Sequence, residues 1–184
     1  ALFPSTVLAT LALTYGAVVT FVPLYALERG LANPGLFFTI YAIVVLAARG
    51  VTGRLSDQYG RAALIAPGLV AATAALVVLS QATSALLFVP VALLYGLAFA
   101  AAQPALMALT IDRVGATRRG VAMGTFGTFF DLGIGVGSFL WGVVAQAWGY
   151  STMYLVAGVA PLVGVGLLLA PRWGIAKEIF GRPR

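Results

Sequence analysis

This 184-residue chain gives chemistry few residues to work with, since it holds no Cys, no His, five Asp or Glu and eleven Lys or Arg. Without Cys and His there is no disulfide framework, no Cys/His zinc site, no thiol nucleophile and no His-based triad. Ser138 has neither a His nor a Lys to activate it at its depth, so a membrane-embedded serine hydrolase is excluded too. The chain is expected to be no enzyme and to hold no metal and no cofactor. What stands out is Asp131, because no other charged residue lies between Arg119 and Arg172. A carboxyl inside so long an apolar run is expensive to hold charged, which suits it to taking up and releasing a proton or to contacting a cationic substrate. The plainer alternative is a permanently paired or protonated packing residue.

Asp131 lies twelve residues beyond Arg119, about 18 Å of helix, which is near the centre of a bilayer. Stepping by three or four residues puts Gly120, Gly124, Gly127, Asp131, Gly135, Ser138 and Gly142 on one stripe. Phe129, Phe130, Phe139, Leu140 and Trp141 then form a bulky side toward lipid, and the small stripe is expected to face protein, as close helix packing requires. Gln103 precedes Pro104, which removes a backbone hydrogen bond, so amide and freed carbonyl are expected to line a cavity. Thr14, Tyr15, Tyr41 and Tyr95 are further candidate contacts to substrate, set against plain packing. Arg49 sits five residues before Arg54 and can extend its stem to the interface, so a structural or gating role is expected before substrate binding.

The elements that carry these residues must be membrane-spanning. The sequence is 61% hydrophobic and only 9% charged, with a mean hydropathy of +1.03, too little charge to solvate a globule of this size. Runs of about twenty apolar residues lie near 3–27, 34–53, 62–80, 85–111, 120–147 and 150–170, joined by short gaps and a break at Trp148-Gly149-Tyr150. They do not alternate as strands of a membrane barrel would. Arg54, Arg61, Arg113, Arg118, Arg119, Arg172, Lys177, Arg182 and Arg184 fall on one side of the six spans, with only Arg29 on the other. By the positive-inside rule that side is cytoplasmic and both termini lie inside, which leaves Trp148, Tyr150 and Tyr154 at the outer interface. The net charge of +6 thus reflects topology, and nucleic acid is not expected as a partner. Residues 171–184 form a basic tail expected to lie along the inner headgroups.

Between the second and third spans the chain reads Gly53-Arg-Leu-Ser-Asp-Gln-Tyr-Gly-Arg61, expected to be a tight hairpin in which Gly53 and Gly60 allow close approach and Asp57 pairs with Arg54 or Arg61. Gly53, Leu55, Asp57, Gly60 and Arg61 resemble the G-x-L-x-D-x-x-G-R loop of the major facilitator superfamily, in the place where that family carries it. Gln58 and Ala62 stand where the family commonly has basic residues. The resemblance extends over residues 1–170 and includes Arg118-Arg119-Gly120 and the segment from Asp131 to Ser138.

The resemblance implies an all-α membrane protein, with six transmembrane helices forming one half, a 3+3 inverted repeat, of a twelve-helix fold. The chargeless fourth span and the look of the fifth resemble the C-terminal half of sugar and drug efflux members. The missing N-terminal six-helix half is then a partner, with the lipid bilayer, a small-molecule substrate and protons as the others. The implied function is secondary transport by alternating access in the inner membrane, with Gly53, Arg54, Asp57, Gly60, Arg61 and Arg49 gating the cytoplasmic side. The competing expectation is a self-standing six-helix membrane protein, a homodimeric assembly or scaffold without transport.

Overall fold

In a bilayer an apolar run must satisfy its own backbone, so these runs fold as helices. The computed structural model describes residues 2–170 and contains α1 (Leu2–Glu28), α2 (Gly35–Tyr59), α3 (Ala62–Ser80), α4 (Phe88–Asp112), α5 (Arg119–Ala157) and α6 (Val159–Leu169). Short 3-10 turns at Ala85–Leu87 and Ala116–Arg118 lead into α4 and α5, and no strand occurs among the described residues. The expected basic tail lies outside them. Five helical stretches are long and apolar enough to cross a membrane, the last running from Ala116 to Leu169.

That last stretch is not one straight rod. Gly149 takes φ 80° and ψ 169°, a conformation open to glycine and strained for other residues. Up to that point α5 runs parallel to α1: a Cβ on Gly133 would meet Ala12, Thr20 bonds Ser138 at 2.9 Å, and a Cβ on Gly142 would meet Phe21. Beyond it the chain returns, since Gly164 packs against Thr10.

The second helix departs from expectation. It does not end at residue 53 but continues to Tyr59, so Gly53 is an ordinary helical residue with open space where a Cβ would be. Arg54, Asp57 and Gln58 can be solvated there, and an extra turn and a half outside the apolar layer costs nothing in unsatisfied backbone. The hairpin shrinks to Gly60 and Arg61: Gly60 has φ 93°, its N–H bonds the Ser56 carbonyl at 3.1 Å, and Arg61 is the N-cap of α3.

Most of the core comes from α1, α3 and α4, whereas α2 buries only Phe37 and Ser56. α1 packs chiefly on α5, and α4 on α2 and α3. Small residues make these seams: a Cβ on Gly68 would lie 2.9 Å from that of Ala102, and one on Gly96 would lie 3.0 Å from Val44.

Tyr154 is fully buried beside Tyr25, with ring centroids 5.6 Å apart, while Trp148 is exposed. A helix that returns toward α1 directly after Gly149 carries Tyr154 inward.

Candidate functional site

Four of the six candidate substrate contacts meet in one place. Thr14 and Tyr95 are fully buried and share a hydrogen bond of 2.8 Å. Because the single Thr14 hydroxyl proton goes to the Leu11 carbonyl at 2.7 Å, Tyr95 is the donor. Tyr15 and Tyr41 are half-buried with ring centroids 6.2 Å apart, and Phe99 joins them, 5.0 Å from Tyr15 and 6.1 Å from Tyr41. Phe130 closes the cluster 6.0 Å from Tyr15. These tilted rings weld α1, α2, α4 and α5 at mid-helix. Two Tyr-Gly pairs supply its centre: Tyr15-Gly16 admits α5 to α1, and Tyr95-Gly96 admits α2 to α4.

Phe99 and Phe130 are additions to the sequence reading. Phe99 lies one turn beyond Tyr95 and so shares its face, a signal that was present. Phe130 was assigned to the lipid side, as was Trp141, yet Trp141 is 5% exposed and donates to the Leu13 carbonyl at 2.9 Å. The stripe of α5 that packs is therefore Ala122, Phe126, Phe130, Gly133, Gly137 and Trp141. A Cβ on Gly137 would come within 2.9 Å of Leu13 Cα, and one on Gly16 within 2.5 Å of the Ile134 carbonyl. By contrast Gly120, Gly124, Gly127 and Gly135 have open space there, and of the expected stripe Gly142 meets Phe21 at 3.3 Å and Ser138 bonds Thr20 at 2.9 Å. The correction has a physical cause: Gly133-x-x-x-Gly137 is itself a small-residue pair one turn apart, and the Trp141 indole N–H needs a buried acceptor.

Asp131 accordingly stands exposed on the uncovered side of α5, among the glycines that nothing covers, and neither ion pair among the described residues involves it. Gln103 is half-buried and does not join the aromatic cluster. With Arg49, Pro104 and Met107 it lines an open groove of about 450 Å³ between α2 and α4.

At the end of the bundle that holds the α2–α3 turn, Arg61 donates from Nε to Asp112 at 3.2 Å, from Nη1 to Ser56 at 3.1 Å, and to Asp57. Asp57 thus pairs with Arg61 and not with the exposed Arg54. Partial burial opposes the guanidinium charge, but the two carboxylates outweigh it and raise the Arg61 pKa above its ordinary value. Asp57 and Asp112 are 70% and 54% exposed, so solvent screens the network to about 1 kcal/mol or less per pair. Its effect is geometric: it ties the α2–α3 turn to the end of α4. Asp112 went unnoticed in the sequence, although it ends the fourth span on the side where the positive loops gather. Arg29, the cation of the opposite end, stacks over Tyr25 at 5.1 Å.

Comparison with known proteins gives a consistent picture. The family model described as Major Facilitator Superfamily matches residues 2–178. The staphylopine export protein of Staphylococcus aureus is 32% identical over 158 residues, covering 82% of this chain and 39% of that protein. An uncharacterized MFS-type transporter of Pseudomonas aeruginosa is 32% identical over 165 residues, covering 89% of this chain and 40% of its own length. One from Burkholderia mallei is 30% identical over 153 residues, with 83% and 38% covered. The chain spans about two-fifths of the length of these curated relatives.

Proposed function

The chain belongs to the major facilitator superfamily and is a multi-pass membrane protein, and from that premise we propose that it is the C-terminal six-helix half of a secondary transporter. It moves a small solute by alternating access, and the reading favoured here is proton-coupled efflux of a sugar-like or drug-like molecule. The observation that carries the proposal is Asp131, a carboxylate near mid-membrane on a glycine-lined face of α5 that none of the described residues covers. Left to lipid, such a face would solvate a charge poorly and waste the close approach that its glycines allow. The missing N-terminal half covers it and makes the transport cavity there.

Two features support the finer architecture. Tyr15-Gly16 and Tyr95-Gly96 lie 80 residues apart and exchange partners: the first helix of one triplet packs on the second helix of the other. That exchange is what a 3+3 repeat produces. The returning segment after Gly149 supplies the sixth crossing. The cations Arg54, Arg61 and Arg113 crowd the end opposite Arg29, which supports a cytoplasmic assignment for that end, both termini inside, and a bacterial inner membrane as the location. The Asp57–Arg61–Asp112 cluster there presents a rigid charged corner that latches against the facing half when the cytoplasmic side closes. The name of the S. aureus relative supports the outward direction.

Asp131→Asn in the full-length protein tests the reading. Membrane insertion is expected to persist, while solute movement driven by a pH gradient in everted vesicles falls by roughly 100-fold, the scale of a lost proton-transfer group. An unchanged pH profile would sink the coupling role.

A further inference from the structure

The groove between α2 and α4 contains a cation that takes part in neither ion pair of the described residues. Both ion pairs among the described residues are made by Arg61, which engages Asp57 and Asp112. Arg49 is exposed, lines the groove, and has no carboxylate among its lining neighbours Gln103, Pro104 and Met107. It precedes Asp57 by eight residues of helix, about 12 Å, and Gln103 precedes Asp112 by nine, about 14 Å, so the groove sits well inward of the charged corner. Gly96 fixes its walls, because the close approach of α4 to Val44 and Tyr41 of α2 holds the two helices together. Pro104 also lines a second, smaller hollow of about 160 Å³ that reaches Asp57 and Arg61.

We propose that this groove binds the anionic group of a small organic acid, with Arg49 supplying the charge and the Gln103 amide a second donor. The proposal rests on the transporter reading and narrows its substrate to solutes bearing a carboxylate. A guanidinium offers a planar pair of N–H donors that matches a carboxylate, and desolvation inside a membrane protein strengthens that match. The groove volume of about 450 Å³ suits a molecule of small-metabolite size. Asp131, on a different helix, remains available for the proton.

The test uses the full-length protein purified with lipid, and reads thermal unfolding against matched probes: benzoate with benzamide, and succinate with succinamide. At least one acid is expected to raise the unfolding temperature where its amide does not. Arg49→Gln should raise the half-saturating concentration of that acid roughly 10- to 100-fold, as expected for a hydrogen bond to a charged group. Arg49→Lys should keep part of the effect, and Gln103→Leu should weaken it several-fold. These two variants also serve if Arg49→Gln fails to fold. Acids that behave as their amides do, or an acid effect that survives Arg49→Gln unchanged, overturn the proposal. Binding is read without transport, so the groove and the transporter reading fail separately: a pH-driven solute flux in vesicles of the unsubstituted full-length protein upholds the second whatever the acids do.

Discussion

The two faces of α5 both carry glycines and do opposite things with them. On one, Gly133 and Gly137 are pressed against α1 so closely that a methyl group has no room; on the other, Gly124, Gly127 and Gly135 border Asp131 and touch nothing. Glycine alone therefore does not say which way a membrane helix faces. What separates the faces is their bulky neighbours: Phe126 is buried on the inner face, where Phe130 meets Tyr15 and Phe99 and Trp141 donates to the Leu13 carbonyl. The outer face pairs its small residues with a carboxylate, a combination that makes sense against protein or water rather than hydrocarbon.

Substitutions can break or sharpen this contrast. Gly137→Ala forces a methyl into the Leu13 backbone, and should cost about 2–3 kcal/mol by overpacking, read as a lower unfolding temperature of the full-length protein in detergent. The buried hydroxyl pair comes next, and it is asymmetric. Thr14→Ala leaves the Tyr95 hydroxyl buried without its acceptor and should cost about 2 kcal/mol, whereas Tyr95→Phe removes the donor and should cost about 1 kcal/mol. Equal losses in the same unfolding assay would overturn the assigned direction of the bond. Gly127→Ala should leave stability unchanged or raise it by up to about 1 kcal/mol through helix propensity. Its transport rate should nevertheless fall, since the facing half is expected to pack there; a loss of stability in the isolated chain would mean that this face is already covered.

Much of the architecture was legible because apolar length and charge asymmetry are properties of runs, and runs survive small errors of register. The helices, the break at Gly149 and the tight turn at Gly60 all have local causes in the sequence. Helix ends were less legible: Gly53 suggested a turn, but a helix leaving the bilayer continues while its side chains are solvated, and it stops only where Gly60 adopts positive φ. The site was legible in its members more than in its grouping. Thr14, Tyr15, Tyr41 and Tyr95 are distant in sequence and meet only because Gly16 and Gly96 let two helix pairs close. The α5 stripe was misassigned because a periodicity of three to four residues allows two glycine sets only about a quarter-turn to a half-turn apart, and the charged residue drew attention to the wrong one. Asp112 escaped because its partner Arg61 is 51 residues away.

Gly149 turns the chain with a single residue, leaving no slack between α5 and the segment that returns. Any torque applied at the Gly149 end of α5 therefore passes directly into the segment that returns, and the Thr73 hydroxyl, bonded to the Gly158 carbonyl at 2.9 Å, hands it on to α3. The described helices are thereby coupled through α5 to both α1 and α3, and on the transporter proposal the motion is expected at the border with the facing half rather than among them.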